Sequence, residues 1–335
     1  MTNVFPAVPC AKDCIRQAIS KGPEGMEVSG SCFLCGHCVA VCPTGAVSIP
    51  EYEDCPVEYD PSVSAIDGEQ MLLAVKFRRS VRNYRKNPIE EEKLRLLVDA
   101  GTHAATAANR QEISYVIVQE KRQELKRLVF EGMGQLLENA SDAGKEDPFL
   151  QTIRKFYENR DAAEEEEMLF RNAPAVIYLL GDHSFDTGLA AQCMELVGCS
   201  LGLGFMYNGY LTRISSRLPR VREFLGIGEE QIQMCMLAGY PKVRYRRTAP
   251  KKTPSGKVVV REHHKNVKRK KFFTAVQVIR IQNKSIQKRG NLHELQSIGK
   301  HRTYGKRDRS GSGVAGAPQP GGGLSDHPLL PGGGH

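Results

Sequence analysis

Hydrophobic and polar positions follow two spacings beyond residue 68. Met71 to Phe77 opens an apolar helical pattern that resumes with Leu94, Leu97 and Val98 after Pro88. Phe149, Ile153 and Phe156 recur on one helix face, and Asp186 to Leu203 reads as a helix with Leu189, Cys193, Leu196 and Val197 at core spacing. Three short apolar runs, Ile113 to Val118, Ala175 to Leu180 and Gln231 to Leu237, read as buried strands, the last ending at the turn signal Gly239-Tyr240-Pro241. Strands and helices that alternate in this way predict an α+β or α/β body. No clearly apolar stretch approaches the roughly 20 residues of a membrane span, so no membrane association is expected.

Before residue 60 the pattern is absent. This part is rich in Cys, Gly and Pro, with apolar pieces as short as Ala46 to Ile49. Such a composition cannot bury a large core and needs bonds to a ligand instead. The predicted boundaries are 1–60 for a small metal module, 68–254 for the larger domain and 255–335 for a tail.

Charge changes the picture only at the C-terminal end. The 335 residues carry a net +9, yet residues 256–335 hold 16 of the 47 Lys and Arg and only 4 of the 38 Asp and Glu. The rest is nearly balanced, so no nucleic acid is expected on the folded body. The basic run Lys268 to Lys271, followed by nine Gly and four Pro in residues 311–335, predicts a disordered tail; a basic arm for an anionic surface is the alternative. The N-terminal MTNVFPAVPC lacks the charged and apolar regions of a secretory signal, so a cytoplasmic location is expected.

Six of the ten cysteines fall within the first 42 residues, which in a cytosolic chain favours metal chemistry over disulfides. Cys32, Cys35, Cys38 and Cys42-Pro43 form the C-x2-C-x2-C-x3-C-P run of bacterial ferredoxins. Three thiolates on so tight a loop reach three irons of one [4Fe–4S] cubane, while the fourth faces a second cluster. Cys14 is the natural fourth ligand of the first cluster. Cys10 and Cys42 are left for a second cluster that lacks two further ligands, so either one cluster assembles or the chain is truncated at its start. Zinc also takes four thiolates, but this spacing fits a cubane better. His37, inside the loop, reads as an exposed spacer.

Arg78, Arg79, Arg82 and Arg85 crowd eight positions together with Ser80 at the end of the first helix. Guanidinium forks and a hydroxyl suit a phosphomonoester, although an Arg-rich helix end is by itself more often a solvated face or a macrodipole partner. Three more landmarks follow in order: Ala105-Thr106-Ala107-Ala108-Asn109-Arg110-Gln111, the stretch Gly204 to Tyr210, and Gly239 to Arg247. With these four in register behind the cysteine run, residues 1–254 resemble the nitroreductase family, specifically its ferredoxin-fused members.

The resemblance implies an α+β, nitroreductase-like FMN-binding fold with an N-terminal ferredoxin-like [4Fe–4S] domain, assembled as a homodimer with FMN at the subunit interface. It implies Arg78 and Ser80 on the phosphate and ribityl chain, Arg79 on the cofactor, and Arg82 near the N1/O2 edge of the ring. Thr106 and Asn109 are implied to reach the ring from the other subunit, the Asn208-Gly209 backbone to lie near N5, and Arg246 or Arg247 to complete the phosphate clamp. Without the resemblance, Asn208-Gly209 is equally a turn and Arg246-Arg247 a solvated strand edge. Glu164 to Glu167 reads as a helix face in water, and Cys193 and Cys199 as small buried hydrophobes.

Flavin chemistry needs no protein nucleophile, so no catalytic acid or base is expected. The implied function is an oxidoreductase that reduces a nitroaromatic, quinone or similar planar small-molecule acceptor. Electrons would enter from NAD(P)H at the flavin or from a ferredoxin or other electron-transfer protein at the cluster, and no G-x-G-x-x-G fingerprint decides between them. The alternative is an electron-transfer or redox-sensing flavin and iron–sulfur module without a dedicated small substrate.

Overall fold

The cysteine-rich segment is built from very short elements. The computed structural model describes residues 9–140, 147–163 and 166–251. Helix α1 (Pro9–Asp13) precedes a hairpin of β1 (Ile19–Lys21) and β2 (Met26–Val28), in which Ile19 pairs with Val28 and Lys21 with Met26. The single-turn α2 (His37–Ala40) follows the cysteine loop and packs against α1. Cys10 and Ala18 are the buried apolar residues of this segment, as its composition leads one to expect. Helices α3 (Pro61–Ser64) and α4 (Gly68–Phe77) lead onward; the Asp67 carboxylate caps α4 by accepting the Gln70 N–H at 2.9 Å.

The larger domain continues through α5 (Glu91–Thr102), a single 3-10 turn (Ala107–Asn109), β3 (Ser114–Val118), α6 (Arg122–Glu138), α7 (Pro148–Glu158) and β4 (Ala175–Leu180). It closes with α8 (Ser184–Ser200), β5 (Gly204–Tyr207), α9 (Gly209–Ser215), α10 (Pro219–Phe224) and β6 (Ile232–Gly239). The four strands stand in the order β3-β4-β6-β5, and every neighbouring pair is antiparallel. That pairing makes the domain α+β, since parallel βαβ crossovers are missing from this sheet.

Strand β4 lies between β3 and β6 and is covered on both faces, which is why it reads as an unbroken apolar run. Ala175, Ile177 and Leu179 join Leu97 of α5, Met194 of α8 and Phe205 of β5 on one face. Val176, Tyr178 and Leu180 join Leu125 and Met133 of α6, Ile153 of α7 and Ile214 of α9 on the other. Each fully buried Val, Leu or Ile side chain contributes about 1.5–3 kcal/mol relative to exposure, so this three-layer core dominates stability.

Two expectations are corrected here. Helix α8 meets the core through Ala190, Ala191, Met194, Glu195 and Gly198, whereas Leu189 is exposed and Cys193, Leu196 and Val197 are only half-buried. Small residues set this rotation by letting the helix approach the sheet: a Cβ on Gly198 would stand 2.3 Å from the Phe205 ring. Glu167 is the second case. It is buried, not solvated, because its carboxylate accepts the N–H groups of Leu169 and Phe170 and lies 3.5 Å from Lys126 Nζ. Glu164 and Glu165 lie outside the described residues, as does the tail at 255–335.

The cysteine segment and the larger domain fall within one compact unit ending at Thr253. Among the described residues, no helix is long and apolar enough to cross a membrane.

Candidate functional site

Helix α4 stops at Phe77, and the chain leaves it extended, not as a solvated helix end. Val81 and Tyr84 are buried and pull the segment against the sheet: the Val81 N–H donates to Phe205 O at 2.8 Å, and Ser80 and Tyr84 bridge to Phe205 and Pro241. The Arg85 and Lys242 N–H groups bond Tyr240 O and Asn83 O at 2.8 and 2.9 Å. Thus the Arg78–Tyr84 segment, the start of β5 and the end of β6 meet along one edge. Burial raises the Tyr84 hydroxyl far above its ordinary range, with Arg171 and Arg82 close enough to oppose the shift.

The arginines of this segment divide. Arg78 Nη1 donates to Glu195 Oε1 at 3.1 Å, and the second oxygen of that fully buried carboxylate accepts the Tyr207 hydroxyl at 2.9 Å and Gln192 Nε2 at 3.4 Å. Arg79 turns back onto the backbone, donating to Arg78 O at 3.0 Å. Ser80 is half-buried, Arg82 is exposed, and Arg246 and Arg247 are exposed in the segment after β6. Sequence reading did not single out Glu195. Its one signal is an isolated charge among the small and apolar residues of α8.

Asn208 caps α9. Its Oδ1 accepts the Leu211 N–H at 3.0 Å and its Nδ2 donates to Leu169 O at 2.7 Å, while Gly209 has open space where a Cβ would project. The pair therefore opens a helix and is not a hairpin turn.

The Thr106–Gln111 loop meets the cysteine loop. Asn109 Nδ2 donates to Phe33 O at 3.1 Å and Leu34 O at 3.0 Å and lies 3.3 Å from the Tyr52 hydroxyl. Gln111 Nε2 donates to the Tyr52 hydroxyl at 2.8 Å, and that hydroxyl donates to Leu34 O at 2.9 Å. The buried Asp186 carboxylate anchors the other side, accepting the Ala107 N–H at 3.0 Å.

No disulfide joins any of the ten cysteines. The Leu34, Ala18 and Ala46 N–H groups point at Cys32, Cys14 and Cys42 Sγ, each at 3.3 Å. Hydrogen bonding to Thr44 and the amides that follow lowers the Cys42 thiol to about 7. Burial raises the Cys38 thiol, and its neighbours Cys32 and Cys35 add to the shift. Amides aimed at sulfur and three thiols on one loop are a donor set suited to an iron–sulfur cluster. Among the described residues, no group of three or more His, Cys, Asp or Glu side chains is arranged to hold a single metal ion. His37 is exposed and lies 2.9 Å from the Asp13 carboxylate. Cys193 and Cys199 are half-buried, and burial pushes the Cys199 thiol up to about 11, away from nucleophilic use.

Residues 75–240 match the model of the Nitroreductase family. A protein of Archaeoglobus fulgidus that carries the name NADH dehydrogenase/NAD(P)H nitroreductase is 27% identical over 177 residues, which span 52% of this chain and 87% of the relative. Among solved structures, a nitroreductase with bound FMN from Bacteroides fragilis aligns at 21% identity and a TM-score of 0.47, covering 58% of this chain and 99% of its own. A nitroreductase of Mycobacterium smegmatis in complex with NADPH aligns at 22% identity and a TM-score of 0.41, covering 55% and 96%. Residues 75–240 thus resemble the nitroreductase family over about half of the chain, and the chain is an oxidoreductase of nitroreductase type.

Proposed function

We propose that the chain uses FMN and an iron–sulfur cluster to reduce nitroaromatic, quinone or similar planar acceptors with electrons from NAD(P)H or a ferredoxin. One observation carries this reading. The Arg78–Tyr84 segment, the start of β5 and the end of β6 share one edge, while the fourth landmark holds the cysteine loop.

In this reading residues 1–60 form the ferredoxin-like module and 68–254 the flavin domain. Arg78, Arg79 and Ser80 bind the FMN phosphate and ribityl chain, and Arg246 or Arg247 completes the clamp. Glu195 fixes the Arg78 fork and offsets part of its charge, leaving Arg79 as the less compensated cation. Arg82 stands at the N1/O2 edge, the Asn208-Gly209 backbone lies near N5, and Thr106 reaches the ring from the other subunit, while the Asn109 amide is taken up by the cysteine loop. Cys14, Cys32, Cys35 and Cys38 hold one [4Fe–4S] cluster, and Cys10 and Cys42 are left for a second. Bound FMN supplies hydride chemistry at N5 and the cluster supplies single-electron storage.

A homodimer is part of the same reading. Met71, Leu72, Leu73, Val75 and Phe77 of α4 are each between 40% and 51% exposed in a single chain, an apolar patch that a second copy covers.

Purification without oxygen, with flavin and iron quantitation, tests the reading. It expects FMN near one per chain, about four irons per chain, and turnover of a nitroaromatic with NAD(P)H. Protein free of both flavin and iron sinks it, while cluster reduction without acceptor turnover favours the electron-transfer module.

A further inference from the structure

Resting on the iron–sulfur reading above, we propose that Asn109 is a positioning residue for the cysteine loop, a latch between the nitroreductase domain and the peptide joining Cys32 to Cys35. Leu34 has φ 54°, a left-handed conformation that a branched apolar residue rarely takes. Its carbonyl is held from two sides, by Asn109 Nδ2 at 3.0 Å and the Tyr52 hydroxyl at 2.9 Å, and its N–H is thereby aimed at Cys32 Sγ. The second Asn109 amide hydrogen serves Phe33 O at 3.1 Å.

The latch is itself set in an unfavourable backbone. Ala108, Asn109 and Gln111 have φ of 54°, 54° and 53°, and the loop is kept there by Gln111 N–H donating to Thr106 Oγ1 at 3.1 Å and by the Asp186 anchor. Backbone strain of this kind persists only where surrounding contacts over-determine it, and it gathers at functional positions. What the conformation achieves here is the delivery of Asn109 and Gln111 to Phe33, Leu34 and Tyr52. Two thiol-bearing residues are thus fixed to the domain through the peptide between them.

The test uses full-length protein purified without oxygen and two variants. Asn109→Gly keeps the left-handed backbone and removes the amide; Tyr52→Phe keeps the ring and removes the hydroxyl. Both are expected to release iron to a chelator about tenfold faster than wild type, in keeping with the loss of one or two hydrogen bonds. The cluster's midpoint potential falls, because the N–H aimed at Cys32 Sγ loses its support. Amide hydrogen exchange across residues 32–38 quickens, while the global unfolding midpoint holds in both variants and FMN content holds in Tyr52→Phe.

Iron release within about twofold of wild type, with unchanged potential and exchange, overturns the proposal. So does loss of FMN from Asn109→Gly with iron release unchanged, which makes Asn109 a cofactor contact. Should wild type take up no iron, the cluster reading fails by itself, and exchange across 32–38 decides the latch alone: faster in Asn109→Gly supports it, unchanged overturns it.

Discussion

Arg78 donates at 3.1 Å to a carboxylate that solvent does not reach, that of Glu195. Removing one partner of such a pair costs more than removing both, because the survivor is a charge without compensation. Arg78→Ala is expected to lower unfolding free energy by about 3 kcal/mol or more, and the double variant Arg78→Ala/Glu195→Gln by less than Arg78→Ala alone. Denaturant unfolding of wild type, both single variants and the double variant measures this; additive losses would show that the pair is not coupled.

Arg246 and Arg247 are exposed after β6. Their joint replacement by Ala is expected to leave the thermal midpoint in place and to weaken FMN binding by about tenfold or more, the worth of one charge-assisted hydrogen bond. Flavin fluorescence titration reads the affinity, and the two single variants assign the clamp to one position.

Leu72 and Leu73 lie side by side on α4, both about half exposed. Leu72→Glu/Leu73→Glu is expected to convert the protein to a monomer in sedimentation velocity, since buried unpaired charge costs several kcal/mol at an apolar interface. A dimer that survives both substitutions rules α4 out of the contact.

His103 ties α5 to the cysteine segment. Its Nδ1 lies 3.0 Å from the Asp99 carbonyl and its Nε2 3.4 Å from the Asp54 carboxylate, and these partners, Asp99 first, raise it above its ordinary 6.5. A raised histidine contributes stability that is complete below pH 6.5 and is lost as pH rises through its folded value. The thermal-midpoint gap between wild type and His103→Gln is expected to be wider at about pH 6 than at about pH 9. It should stay small, under about 1 kcal/mol, because both partners face solvent.

Gly198 sits where α8 touches β5. Gly198→Ala places a methyl 2.3 Å from the Phe205 ring and 2.9 Å from Leu97. Overpacking of about 1–3 kcal/mol is expected from denaturant unfolding, even though Ala is the better helix former.

Apolar runs were the most legible part of this chain. Ala175 to Leu180 is β4 to the residue, because a strand covered on both faces must be apolar throughout. The face of α7 is legible too, with Phe149 and Ile153 buried. The stripe of α8 misled because Ala190, Ala191 and Gly198 carry weak hydrophobic signal yet allow the closest approach. Arg78–Tyr84 read as a helix end because local spacing does not reveal the bridges of Ser80 and Tyr84 to Phe205 and Pro241. Glu195 and the Asn109 contacts were illegible for a plainer reason: partners 117 and 75 residues apart meet only through tertiary structure.

The sheet order has a consequence for synthesis. Strand β6 is the last of the four to leave a ribosome, yet it lies between β4 and β5. Until residue 239 has emerged, β5 has only the Ser80–Val81 bridge at Phe205 and β4 offers one open edge. A nascent chain stalled short of that point would expose an aggregation-prone strand, so vectorial translation leaves completion of this domain to its final eight-residue insertion.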